Sequence, residues 1–273
     1  MAWNQTWESR VAILRRQQDV QINYRVDGDG DIAWLLFNGA TLPLAFWDPV
    51  AVALATTEKV VRFDQRNAGA SHAMGAFSLL DTAADAAAVL AQLELSRVIA
   101  VGHAWGGRVA QVFARDYPHL CEGLVICGTG GQFPSTLPDK VLAHVRDSAR
   151  AGDKTAWAQA LVQAYCAPGF AGRQPSAYAE LIDLLWPPKR PSARWDAKIA
   201  PSSSYWGRSA VPTLLIYGQQ DQFGTPANAD DLQGRLSDVR RVDVPEAGHF
   251  VIREATETVV TELRQFAQSL MGK

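Results

Sequence analysis

The sequence predicts an α/β protein built on a mostly parallel sheet, and three observations carry that expectation. Short β-type runs alternate with helix-period segments along the chain. The later runs are apolar at nearly every position, as strands covered by helices on both faces must be. The chain has 273 residues with 48% hydrophobic and 20% charged side chains, which suits one large domain or a domain with an insertion. That composition excludes a disordered or collagen-like chain.

Arg10 to Leu14 and Val20 to Val26 are joined by a very short polar stretch and mix charged with apolar residues, which reads as an exposed antiparallel hairpin at a sheet edge. Ala33 to Phe37, Val60 to Phe63, Val98 to Val101, Gly123 to Cys127, Thr213 to Tyr217 and Val239 to Val244 read as the other strands of an eight-stranded sheet. Ala45 to Ala55, Ala83 to Leu95, Gly107 to Tyr117 and Thr256 to Leu270 read as flanking helices. From Pro134 to about Trp206 the rhythm breaks. Pro138, Pro168, Pro175, Pro187, Pro188, Pro191 and Pro201 fall among helix-like pieces with no convincing strand. The expected organisation is a core of residues 1–133 and 207–273 with a helical lid, 134–206, inserted between its halves. In an open parallel sheet ligands bind beyond the carboxyl ends of strands, where such an insertion would roof the pocket. A decorative or dimerising subdomain is the alternative.

With 26 basic and 28 acidic residues the formal net charge is −2, so no positive excess exists to neutralise a nucleic-acid backbone or an anionic membrane. Cys121, Cys127 and Cys166 are an odd, unclustered set without zinc-like spacing, which argues against a disulfide framework and for a reducing compartment. Glu8, Arg10, Arg15, Arg16, Asp19 and Arg25 interrupt every early apolar run before it reaches the length of a signal core. No window approaches the roughly 18 consecutive apolar residues of a membrane helix. The expectation is a soluble cytoplasmic protein acting on a small molecule, with a homodimer left open.

The chemistry-bearing signal begins where the Val98 to Val101 run enters Gly102-His103-Ala104-Trp105-Gly106-Gly107 and then a helical pattern. So sharp a strand-to-helix turn needs small residues on either side of its apex, and Gly102 and Gly106 supply them. The apex is Ala104. Two later strands end in segments that carry Asp221 and His249: Gly218-Gln219-Gln220-Asp221 and Pro245-Glu246-Ala247-Gly248-His249-Phe250. From about Val20 to the C terminus the chain resembles the α/β-hydrolase superfamily, whose elbow apex is normally a serine. Phe37-Asn38-Gly39-Ala40 resembles the family's segment after the third strand, with Asn38 in place of histidine. Asp64-Gln65-Arg66-Asn67-Ala68-Gly69-Ala70-Ser71 resembles its Asp-x-Arg-Gly-x-Gly-x-Ser turn, with Asn67 in a glycine position. Asn tolerates left-handed backbone. The resemblance implies Ala104 in the nucleophile position, Asp221 as orienting acid, His249 as base, and the amides of Ala40 and Trp105 as the oxyanion hole. It implies no cofactor and no metal.

Other residues carry less. His103 reads as a structural side chain beneath the elbow, and His72, His119 and His144 as surface or loop histidines. Trp47, Trp105, Phe133, Trp186, Trp206, Phe223 and Phe250 lie in segments that the fold brings near the pocket. Of these, Trp47, Trp186, Trp206 and Phe250 are the expected substrate-binding residues, and an apolar or aromatic small molecule fits such a lining. Cys127 reads as inert packing at the end of a buried strand.

Ala104 admits two explanations: deliberate replacement of a serine, or a native alanine. The elbow resembles that of the aminoacrylate hydrolases of pyrimidine degradation, which carry Gly-His-Ala, and Asp64-Gln65-Arg66 and Asp116-Tyr117-Pro118 resemble theirs, which favours the native alanine. A replaced serine would leave a chain nearly inactive beside an acylating parent. A native alanine points to direct attack by water with His249 as base. The expected activity is cleavage of a small, partly apolar ester, amide or related carbonyl compound. Lyase, decarboxylase or cofactor-free oxygenase chemistry on the same dyad, and non-catalytic ligand binding, are the alternatives.

Overall fold

The computed structural model describes residues 10–16, 19–188 and 202–272. The expected hairpin forms from β1 (Arg10–Arg15) and β2 (Gln21–Asp27), paired antiparallel with Val11 opposite Arg25 and Ile13 opposite Asn23. The remaining strands are β3 (Ala33–Phe37), β4 (Lys59–Phe63), β5 (Val98–His103), β6 (Cys121–Cys127), β7 (Thr213–Gly218) and β8 (Val239–Val244). One eight-stranded sheet results, in the order β1-β2-β4-β3-β5-β6-β7-β8. Only the β1–β2 and β2–β4 pairings are antiparallel; from β4 to β8 every neighbour is parallel.

Side chains alternate across each strand, and here both faces are covered. Leu35 and Phe37 of β3 enter one apolar cluster while Trp34 and Leu36 enter the other. That two-sided burial is why the inner strands carry no polar alternation. On the first face lie α2 (Leu79–Gln92), α3 (Trp105–Asp116) and α8 (Pro226–Arg235), burying Val89, Phe113 and Leu232. On the second lie α1 (Asp48–Leu54) and α10 (Thr256–Met271), burying Leu54, Leu263 and Phe266.

Helix α1 follows a 3-10 turn, Leu44–Trp47, so the expected single helix from Ala45 is two pieces. Helix α2 starts four residues earlier than its apolar period suggests. Ser78 Oγ accepts from Asp81 N (3.2 Å) and Asp81 Oδ2 accepts from Ser78 N (2.8 Å), a reciprocal cap that satisfies two donors of the first turn.

Between β6 and β7 the described residues form helices and no strand: α4 (Asp139–Ala151), α5 (Lys154–Tyr165), α6 (Phe170–Arg173) and α7 (Pro175–Leu185), then a 3-10 turn, Ser202–Ser204. Trp157 and Leu161 of α5 and Leu181 of α7 are buried in the second cluster, so this stretch is packed onto the sheet layer. Residues 189–201 of the expected insertion, Pro191 and Pro201 among them, lie outside the described residues. A four-residue helix, α9 (Val251–Glu254), follows the loop after β8. Among the described residues no helix is long and apolar enough to cross a membrane.

Candidate active site

The turn from β5 into α3 is built by crowding. A Cβ on Gly106 would fall inside van der Waals contact of the Phe37 and Asn38 carbonyl oxygens, and one on Gly102 would meet the Gly106 carbonyl. Ala104 sits at the apex with φ 51° and ψ −114°, a conformation costing an L-residue about 1–3 kcal/mol. Its N–H donates to the Cys127 carbonyl (2.9 Å) and its carbonyl accepts from Gly107 N (3.1 Å), which pins the bend to β6 and to the first turn of α3. Gly106→Ala should therefore lower stability by about 3 kcal/mol, because backbone on both sides blocks relaxation. Urea denaturation checks this, and a variant as stable as the parent would show that the bend is looser than drawn.

Asp221 and His249 come from the loops after β7 and β8. Asp221 Oδ1 accepts from the Phe223 and Gly224 amides (2.7 Å each), and Oδ2 lies 3.0 Å from His249 Nδ1. Both side chains are buried. Burial alone would raise the Asp221 pKa, but the adjacent imidazole and the two amides outweigh it and hold the carboxyl below the usual carboxylate range. An ionised carboxylate only accepts, so Nδ1 is the donor and Nε2 is the basic nitrogen. Nδ1 is anchored on Asp221, and His249 lines the same cavity as Ala104.

His103 takes the structural place expected of it. It is fully buried, its Nε2 is 2.8 Å from the His249 carbonyl, and that carbonyl can only accept, so Nε2–H donates. Burial first, and the charge of nearby His249 second, push its pKa down to about 3, so the ring is neutral. Glu254 also braces the histidine loop, accepting from Gly248 N (3.0 Å) and from Ala167 N (2.6 Å) between α5 and α6. Burial pushes its pKa up to about 7, against the lowering by those two amides.

These shifts have opposite signs in stability. Between about pH 3 and 6.5 the unfolded chain binds a proton on His103 that the fold rejects, so this group adds stability as pH rises. Between about 4.5 and 7 the fold keeps a proton on Glu254 that the unfolded chain releases, so this group removes stability as pH rises. Glu254→Gln should gain on the parent steadily across pH 4.5 to 7 in paired urea titrations. A constant difference would refute the assignment.

The loop that carries Ala40 is held by polar residues that sequence reasoning did not single out for it. Asn38 Nδ2 donates to the carbonyls of Phe63 (3.1 Å) and Leu42 (3.2 Å), Gln65 Nε2 donates to the Asn38 carbonyl, and Asp64 Oδ1 accepts from Leu44 N (2.6 Å). The Asp64 turn is structural in the same way: Asn67 has φ 60°, as its place requires, and Arg66 pairs with Asp85 through Nε (2.6 Å).

A cavity of about 770 Å³ lies over the bend. Ala40, Ala104, Trp105, His249, Trp186 and Phe250 line it, so these expected site residues converge on one space. Trp47 and Trp206 do not. Trp47 is fully buried with the second core cluster, edge-on to His103 at 6.5 Å between ring centroids, and Trp206 is buried in the first, its Nε1 donating to Asp231 (2.8 Å). Both tryptophans are core packing beneath the sheet helices, a correction to the substrate-binding expectation. Trp157, Leu161 and Tyr165 of α5, with Leu184 and Leu185 of α7, supply lining that the sequence did not reveal. Tyr165 stacks on Phe250 (5.2 Å, 13°), and burial raises its pKa, keeping the hydroxyl protonated. Cys127 is buried and its thiol pushed up by desolvation, as inert packing would be.

A family model described as alpha/beta hydrolase fold matches residues 35–256, most of the chain. The chain belongs to that family. Its curated relatives include a 2-(acetamidomethylene)succinate hydrolase of Mesorhizobium japonicum, 23% identical over 263 residues, covering 90% of this chain and 91% of that protein. A poly(3-hydroxyalkanoate) depolymerase of Ectopseudomonas oleovorans is 25% identical over 252 residues, covering 86% and 83%. Among solved structures, a thermophilic esterase of Thermogutta terrifontis superposes with a TM-score of 0.74 at 20% identity, covering 96% of this chain and 99% of the other. These are hydrolases, and the chain is an enzyme of the α/β-hydrolase family.

Proposed function

We propose that the chain cleaves a small, partly apolar ester, amide or related carbonyl compound by general-base catalysis, without a covalent intermediate. One observation carries the reading: an Asp221-oriented imidazole and an alanine held in the strained elbow conformation line the same cavity. Alanine in place of serine gives up about one oxygen atom of volume, enough for a water that finds two or more polar partners. His249 Nε2 takes a proton from this water as its oxygen attacks the carbonyl carbon. The oxyanion then receives the Ala40 and Trp105 N–H groups. Trp105 opens α3, where the helix presents its positive end, and Ala40 N–H has no hydrogen-bond partner among the described residues. Collapse breaks the bond to the leaving group, which recovers the proton from His249.

In this reading the helices between β6 and β7 are the lid. The support is that α4, α5 and α7 each contribute to the cavity wall. A single turnover in ¹⁸O-labelled water tests the proposal, with 4-nitrophenyl acetate through hexanoate as probes. The expected result is one labelled oxygen in the acid product and no mass increase on the protein; an acylated protein would overturn it.

A second reading rests on the missing hydroxyl. A base and two amide donors in a mostly apolar cavity also suit removal of a proton from carbon next to a carbonyl, with the enolate held in the hole. Lyase, decarboxylase and cofactor-free oxygenase reactions share that step. Deuterium exchange into a carbonyl substrate faster than its cleavage would select this reading.

A further inference from the structure

Among the described residues that line the cavity there are two cations, Arg108 and Arg146, and no aspartate or glutamate. Asp221 is spent on the Nδ1 side of His249. Six arginines elsewhere, Arg62, Arg66, Arg115, Arg235, Arg240 and Arg241, each sit within hydrogen-bond reach of a carboxylate, while Arg173 and Arg208 donate to backbone carbonyls. Arg108 and Arg146 have no such partner among the described residues.

Arg108 is also held still. Its Nε donates to the Gly130 carbonyl (2.8 Å), and its guanidinium lies 5.6 Å from the Trp105 ring centre. A guanidinium fixed by neutral groups keeps its full charge for whatever enters the cavity, and little side-chain entropy is left to lose on binding. It stands four residues after Ala104, one helical turn along the face of α3. Arg146 reaches the same cavity from α4, on the wall contributed by the helices after β6.

We infer that the substrate carries a carboxylate beside its apolar body, bound between Arg108 and Arg146, while its reacting carbonyl lies at Ala104 and His249. The inference rests on the proposed function for the location of the carbonyl. It adds the charge of the substrate. Charge-assisted hydrogen bonds from guanidinium to carboxylate are roughly twice as strong as neutral ones, so a carboxylate is preferred over its neutral isostere.

Isothermal titration of the full chain with 4-phenylbutyrate and with its isosteric amide, 4-phenylbutyramide, tests this without requiring turnover. The acid should bind at least ten-fold more tightly than the amide, with a preference that shrinks as salt rises. Arg146→Met, at an exposed position, should cut the preference about three-fold, Arg108→Met should abolish it, and Arg108→Lys should retain part of it. Equal affinity for the two probes, or a preference untouched in both Arg146→Met and Arg108→Lys, would overturn the inference. His249→Ala should leave the preference intact. A loss of turnover without loss of preference separates the base from the cation pair, and unchanged turnover in His249→Ala removes the general-base reading while leaving the charge selectivity to stand on its own titration.

Discussion

Replacing His249 with alanine should lower turnover on the order of 10²- to 10⁴-fold, the range that a positioned general base contributes. The substitution removes the only imidazole among the described residues that is both on the cavity and joined to a carboxylate; His103, the other cavity histidine, is neutral with its Nε2–H committed to the His249 carbonyl. Stability should change little by comparison with activity. Asp221→Asn is the sharper partner experiment. An amide in place of Asp221 can donate to Nδ1, forcing the proton onto Nε2, where it blocks base catalysis. The side chain would still receive the Phe223 and Gly224 amides, so the loop should hold. The expected result is a loss within the same range as His249→Ala, and a double variant no worse than either single one, since the two act as a unit. Turnover of the best ester or amide from a small-molecule panel is the measurement. Undiminished turnover in His249→Ala ends the general-base proposal, whereas a chain that binds ligands but turns over none of them favours the non-catalytic alternative.

What could be read from the sequence were features with a local cause. Continuous apolar runs marked β3, β5, β6 and β7 because two covered faces leave no position for a polar side chain. The bend at Ala104 announced itself through Gly102 and Gly106, whose missing Cβ atoms are demanded by backbone only a few ångströms away. Asp221 and His249 stood out as titratable groups just beyond strand ends. The start of α2 was placed four residues too late by apolar periodicity, because the Ser78–Asp81 cap sets it and carries no apolar signal. What escaped were properties that depend on the packing of distant segments. Trp47 and Trp206 are chemically like Trp186, yet two are core and one lines the cavity, and nothing within a few residues of each distinguishes them. Trp157, Tyr165 and Arg146 belong to helices whose local signals, such as the Gly152-Asp153 turn, set their ends but not where they pack, and they gain their place only when the stretch after β6 folds back over the bend. Glu254 is similar: it holds Gly248 nearby and Ala167 across 87 residues of chain, a relation that no local pattern encodes.

Ala104→Ser should convert the site to covalent chemistry. The demanding parts of a nucleophile elbow are already in place: the apex holds φ 51° and ψ −114° with alanine, and the crowded glycines on either side fix that bend whatever stands on it. Ala104 is half-buried and faces the cavity, so a hydroxyl adds an atom toward open space rather than into the core. His249, with Nδ1 anchored on Asp221, has Nε2 free to accept the serine proton. The expected results are a fluorophosphonate adduct on the variant and none on the parent, and 4-nitrophenyl ester cleavage raised on the order of 10²-fold or more with burst kinetics. This outcome locates the reactive nitrogen within reach of the apex, which the water mechanism of the parent equally requires. An unlabelled, folded Ala104→Ser chain would mean that Nε2 does not address the bend, and the proposed water between Ala104 and His249 would fall with it.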